Sequence, residues 1–282
     1  MFKKLTCWVV SLFFSGSLGA QQDHEPTHEH GRNGHGVDKC HTMEVDQKLR
    51  DKFPELGTLS DFEKWLAPRV REYKQDLAPG KRAKAILTVP IIFHIVHNGE
   101  AVGSGSNISA TYVNAQLVQL NNDFRKIMGT SGFNSNPVGA DTELQFCAAL
   151  VDPAGNVLAE PGINRINRNT QGWNVPPYSD TYTDATIKPQ SIWDPTRYVN
   201  TWVMSLTGGL LGYAQFPNMS GVGGLPNDNG PANTDGVVVL YTSVGSSTVP
   251  YPGASPYDSG RTLTHELGHF FGLLHTFQGG CG

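Results

Sequence analysis

The sequence predicts an α/β fold: a twisted mixed sheet of about five strands, a long backing helix and a later helix that carries the chemistry. Three observations predict it. Ala85–Val96 is almost continuously apolar, as in a strand buried on both faces. Ser109–Ile127 places Val113, Leu117, Leu120 and Phe124 at helical spacing, giving one apolar stripe to lay on that sheet. Val237–Thr242 is a second fully apolar strand, and a helix follows from about Gly260. Further strands are expected at Glu143–Val151, Ile163–Arg168 and Tyr198–Leu206, with a shorter one at Leu210–Phe216 beside glycine-rich turns. Asn218–Pro231 reads as a long loop, and no internal repeat is present.

Charge divides the chain of 282 residues into two pieces. Residues 21–84 hold 12 Lys/Arg and 12 Asp/Glu, whereas residues 85–282 hold only 7 basic and 13 acidic residues. The second piece keeps regular apolar runs and is therefore globular. The net charge of −4 gives no reason to expect nucleic acid or an anionic membrane as partner.

The first twenty residues have the order of an export signal. Lys3 and Lys4 precede the apolar run Leu5–Phe14, and the small residues Ser15–Ala20 follow, with cleavage expected near Ala20. The run is too short to span a bilayer, and Cys7 lies inside it, so no lipid anchor is read. The mature protein is expected to be secreted. Cys40, Cys147 and Cys281 then remain, an odd number for an oxidising compartment.

Residues 21–84 read as a prosegment. His24, His28, His30, His35 and His41 fall within eighteen residues, a tract that can hold metal, but without fixed ligand spacing it reads rather as a solvated flexible segment. Two helices follow, one around Met43–Phe53 and one opening with Ser60-Asp-Phe-Glu63 and running to about Gln75. Pro68 predicts a kink or break in the second. Ala78–Lys84 is a basic, turn-rich linker suited to processing.

The chemistry is concentrated in His265-Glu-Leu-Gly-His269-Phe-Phe-Gly-Leu-Leu-His275. Histidines four apart lie one turn apart on one helix face, so His265 and His269 can hold one ion. Glu266 cannot be the third ligand from the next position, but it can reach a water on that ion. Gly272 can end the helix in a left-handed conformation and turn His275 back to the third position. Three neutral nitrogens leave zinc an open fourth position, where a water becomes acidic enough for Glu266 to act as general base and acid. Three histidines and a glutamate in an otherwise apolar segment would be costly to bury without such a role.

This string is the long zinc signature of the metzincins. Extended to Leu263–Gln278 and followed by Gly-Gly-Cys281, it resembles the pappalysin family. Ile91–Gly99, Ile108–Arg125 with Leu120-Asn-Asn-Asp-Phe-Arg125, Phe146–Leu150, Gly162–Arg165, Trp193–Val203, Leu211–Pro217 and Asp235–Val239 also fit. The resemblance covers most of residues 85–281. It implies a metzincin-like N-terminal subdomain, His265, His269 and His275 as zinc ligands, Glu266 as catalytic base, and peptide or protein substrates. It also implies that Leu210, Leu211, Gly212, Tyr213 and Ala214 belong to an exposed edge strand that pairs with a substrate backbone.

The resemblance also marks what is expected to be missing. The methionines, at 1, 43, 128, 204 and 219, all precede the third histidine, so the family's Met-turn and C-terminal subdomain are not found in residues 85–282. Family calcium ligands and the usual partner of Cys281 would lie there too, so Ca2+ is an expectation without assignable ligands. An open half-cleft leaves an alternative reading, an inactive exported module that binds zinc or protein. Glu266 speaks against it, because zinc binding alone does not need that residue.

Cys40 has two readings. In Lys39-Cys-His-Thr42, which resembles a cysteine switch, a thiolate favoured by Lys39 could hold the zinc and keep the enzyme latent. Otherwise it is an unpaired cysteine in a flexible region. His94 and His97 face opposite sides of a strand and are not read as ligands. Cys147 is expected to be buried and inert. Asp123, Asp141 and Glu143 are not assigned to the site. The acidic body and the family resemblance both favour basic substrates only weakly.

Overall fold

The computed structural model describes residues 39–54, 57–76, 85–137, 139–216 and 231–275. The export signal, His24–His35, the linker at 78–84, most of the 218–231 loop and Cys281 lie outside the described residues.

Strand β1 (Leu87–His97) is the axis of a six-stranded sheet. Its first half pairs in parallel with β2 (Leu144–Ala148), and its second half with β3 (Ile163–Asn167), on the same edge. On its other side the order runs through β4 (Val199–Met204) and β6 (Val237–Leu240) to β5 (Gly212–Ala214). All ladders are parallel except β5 on β6, which is antiparallel. The mixed α/β sheet is thus as expected, with the strand ends trimmed by one to several residues.

Alternation along the strands makes two cores. Ile91, Phe93 and Ile95 face one side with Val199, Val203, Val237, Val239 and Ala214. Helix α3 (Ala110–Phe124) covers this face with Val113, Leu120 and Phe124, beside Leu263 and Leu267 of helix α7 (Arg261–Phe270). Val96, Trp202, Met204, Val238 and Tyr213 face the other side. There they meet Trp173, Tyr178 and Ile187 from the connection between β3 and β4. Continuous apolar runs are needed because both faces are covered.

That connection holds short elements that the sequence does not announce. It contains α4 (Arg168–Gln171), α5 (Asp180–Tyr182), a π-helical turn Thr183–Ile187 and α6 (Lys188–Ser191). Short polar segments carry no usable periodicity, and a buried lysine disguises the core face. Lys188 is 1% exposed, pairs with Asp184 at 2.8 Å and lies 4.5 Å from the centroid of the Tyr213 ring.

The N-terminal segment contributes α1 (Thr42–Lys52) and α2 (Leu59–Asp76). Helix α1 sets Val45 and Leu49 into the second core, at the β5 end. Helix α2 packs Phe62, Trp65 and Leu66 on Phe216 and Leu274. It continues through Pro68, so the expected break does not occur. A proline there costs about 3 kcal/mol, and the apolar anchor around Phe62 offsets it. No described helix is long and apolar enough to cross a membrane.

Candidate active site

Helix α7 lays Leu263 and Leu267, both fully buried, on the sheet. That orientation turns His265 and His269 to one side, one turn apart. The helix ends at Phe270, and Gly272 at φ +93° reverses the chain, with its N–H on the His269 carbonyl at 2.8 Å. A side chain would be strained at that φ. The turn brings His275 back: the three Nε2 atoms are 3.0 Å (His265–His269), 3.1 Å (His269–His275) and 3.2 Å (His265–His275) apart.

Three ring nitrogens so close would repel unless a cation joined them, and their spacing is near the ~3.3 Å edge of a tetrahedral site with bonds of about 2.0 Å. The His269 Nδ1–H donates to the Leu273 carbonyl at 2.6 Å, which fixes the tautomer and leaves Nε2 as the free donor atom. Burial, followed by neighbouring histidine charge, pushes His265 down to about 4 and His269 to about 3, so both rings are neutral at physiological pH and able to bind a cation. The Cys40 sulfur completes a group of four ligand atoms all within 4.8 Å of one another. Nitrogen and sulfur donors in this number suit zinc.

Glu266 is 1% exposed and lies against β5. The approach requires glycine at 212, where a Cβ would meet the Glu266 Cγ at 2.9 Å and the Val238 carbonyl oxygen at 2.7 Å. The Glu266 carboxylate accepts the Thr42 hydroxyl at 3.0 Å and the Cys40 thiol at 3.4 Å. Burial pushes its pKa up to about 8, against the opposing effect of those two hydrogen bonds.

The edge strand is not exposed in this chain. Leu210, Leu211, Gly212, Tyr213 and Ala214 are all buried, and only Gly212–Ala214 are strand. Residues 39–42 cover the edge: Cys40 bridges Gly212 in parallel, and Leu211 N–H donates to the Lys39 carbonyl at 2.9 Å. His41 N–H donates to the Gly212 carbonyl at 3.2 Å, and Ala214 N–H to the Thr42 hydroxyl at 2.9 Å. An edge with unpaired backbone groups recruits the nearest extended segment. Here that segment belongs to the same chain.

The expectation that Lys39 favours a Cys40 thiolate is corrected. Lys39 Nζ reaches the Gly209 carbonyl at 3.4 Å and stands 5.7 Å from the Tyr257 ring centroid. Burial first, and then the Glu266 carboxylate, push the thiol pKa well above its ordinary value. Only a bound cation would make it a thiolate.

Several contributors were not legible in the sequence. Thr42 and Asp180 carry no motif. Asp180 receives Lys48 at 2.7 Å and His41 at 3.5 Å, tethering the N-terminal segment. Asp123, which no motif marks, accepts the Thr264 hydroxyl at 2.6 Å, one residue before His265. Asp141 pairs with Arg125 instead. His94 is fully buried between Asn200 and Asn164, apart from the histidine cluster, while His97 is half-buried on the opposite side. Cys147 is half-buried, not enclosed, because β2 is an edge strand.

Comparison with known proteins agrees with this geometry. The family described as Peptidase_M43, pregnancy-associated plasma protein-A, matches residues 181–282. An extracellular metalloprotease of Colletotrichum graminicola is 27% identical over 94% of this chain and 68% of its own length. One of Sordaria macrospora is 30% identical over 72% of this chain and 56% of its own length. Mature mirolysin of Tannerella forsythia, in complex with a cleaved peptide, superposes with a TM-score of 0.55 and 30% identity, covering 70% of this chain and 66% of that one. A promirolysin mutant from the same organism gives 0.59 and 26%, covering 87% and 72%. The chain thus spans only part of the length of these proteins. With its histidine cluster, its mixed sheet and these relatives, the chain resembles the pappalysin family of metallopeptidases, matches its family model over residues 181–282, and has a mirolysin-like fold.

Proposed function

We propose that this chain is a secreted, zinc-dependent endopeptidase in its latent form, with residues 1–20 as export signal, 21–84 as prosegment and 85–282 as the zinc-binding body. The observation that carries the reading is the convergence of the His265, His269 and His275 Nε2 atoms beside a buried Glu266.

Zinc held by His265, His269 and His275 would acidify a bound water and polarise a peptide carbonyl. Glu266, buried beside the three histidines, would serve as the general base that accepts a proton from the attacking water. The same carboxyl returns the proton to the departing amine as the carbon–nitrogen bond breaks. The freed backbone groups of Leu211, Gly212 and Ala214 hold the substrate chain as an added strand. In the latent chain these groups are engaged by residues 39–42, whose chain direction is parallel to β5. Cys40 would supply the fourth zinc ligand and exclude water. The larger share of this chain matched by promirolysin than by mature mirolysin supports the prosegment assignment.

The test is zinc content and peptide cleavage of the full chain, before and after trimming at residues 78–84. About one zinc per chain, with cleavage only after trimming, is expected. Absence of both zinc and cleavage after trimming would reject the reading.

A further inference from the structure

Leu263 and Leu267 seat α7 on the sheet by apolar contact, which is non-directional. Such contact resists lifting of the helix far more than rolling. Helix side chains reach roughly 5–6 Å from the axis, so a roll of about 20° moves a ring nitrogen by about 2 Å. That displacement equals a whole zinc–nitrogen bond of about 2.0 Å. Something directional must therefore hold the roll of α7.

Helix α3 sets two polar side chains, Gln116 and Asp123, seven residues apart against α7. Gln116 is fully buried; its amide donates to the Gly260 carbonyl at 2.8 Å, and its oxygen accepts from Gly245 N–H at 3.2 Å. Gly260 is the residue at which α7 begins. Asp123 has a side chain only 4% exposed. It accepts the Thr264 hydroxyl at 2.6 Å and the Gln119 amide at 2.8 Å, and lies 3.2 Å from the Arg261 guanidinium. Its partners on α7 fall at the first and fourth residues, and the second directly precedes His265. The first turn of α7 has no acid and no side-chain cap of its own. Asp123 supplies the negative charge that this helix end favours and offsets Arg261, which the helix dipole disfavours there.

We infer that Asp123, acting through Thr264 and Arg261 and seconded by Gln116, is a positioning residue that sets the roll of α7 so that His265 and His269 meet His275 at one ion. This rests on the metal reading above and extends it to a helix with no ligand of its own. A carboxylate buried away from the histidines is costly unless its hydrogen bonds do something that an apolar residue would not. Thr264 makes the same point, since valine would fill its volume.

The experiment uses the full chain loaded with cobalt(II), whose visible absorption reports coordination geometry. Thr264→Val removes the hydrogen bond at nearly constant shape, and Thr264→Ser retains it. Asp123→Asn keeps an acceptor without the charge. Thr264→Val is expected to alter the cobalt spectrum and speed cobalt release by about 10- to 100-fold, Asp123→Asn to do so less, and Thr264→Ser to restore both. A folded Thr264→Val protein with wild-type spectrum and release rate would overturn the inference, whatever its melting temperature. A wild-type chain that binds no cobalt would instead reject the metal reading itself.

Discussion

The Thr42 hydroxyl lies 3.0 Å from the Glu266 carboxylate and 2.9 Å from the Ala214 N–H, donating to the first and accepting from the second. One buried side chain of the N-terminal segment therefore engages both the acid that would move a proton and a strand donor that would hold a substrate. Leaving a buried acceptor without its hydrogen bond costs about 1–3 kcal/mol. Thr42→Val should accordingly weaken docking by about 10- to 100-fold, read as cleavage activity of the untrimmed chain, and Thr42→Ser should stay latent. Cys40→Ala should raise untrimmed activity as well. If it stays as latent as wild type, the sulfur is not part of the latch.

On the proposed reading, Glu266 serves catalysis and leaves metal binding to the three histidines. Glu266→Gln should keep the zinc content of the wild-type chain and, after trimming, lower kcat by about 10²–10⁴-fold. Unchanged turnover would sink the proton-transfer role, and lost zinc would show that the residue serves the metal instead.

Among the contacts that hold the N-terminal segment, an ionic pair and an aromatic one differ in size. The Lys48–Asp180 pair has a lysine side chain that is 57% exposed, so it is worth about 1 kcal/mol or less. Phe62 is buried edge-to-face on Phe216 at 5.2 Å, and its truncation should cost about 3 kcal/mol. Hydrogen exchange over residues 42–76 should thus accelerate far more in Phe62→Ala than in Asp180→Asn. The reverse order would mean that the ionic tether governs docking.

His94 gives the fold an acid sensitivity. Burial holds it down to about 4, from an ordinary value near 6.5, although the Asn200 hydrogen bond opposes the shift. Above 6.5 both folded and unfolded chains are neutral there. As pH falls from 6.5 towards 4, only the unfolded chain gains the proton, and stability drops by up to about 3 kcal/mol. Urea midpoints should therefore fall between pH 7.5 and 4.5 in wild type, and more shallowly in His94→Gln. Parallel pH profiles for the two proteins would refute this assignment.

What the sequence determined alone is whatever local periodicity encodes. His265 and His269 are one turn apart on any helix, and Gly272 is the residue able to reverse the chain for His275, so the three-histidine cluster is legible without any fold. The buried strands were legible too, because two covered faces demand unbroken apolar runs such as Ile91–Val96. Only the tertiary structure decided which groups surround that centre. Thr42 meets Glu266 across 224 residues, and Asp123 meets Thr264 across 141. Contacts at such separation depend on how the sheet orders its strands and leave no periodic trace in the chain. The same holds for the edge strand: the resemblance implies an edge, but whether that edge lies open depends on what pairs with it. Here residues 39–42 fill it, because hydrogen-bonding groups left unpaired in a buried cleft cost more than ordering four residues to satisfy them.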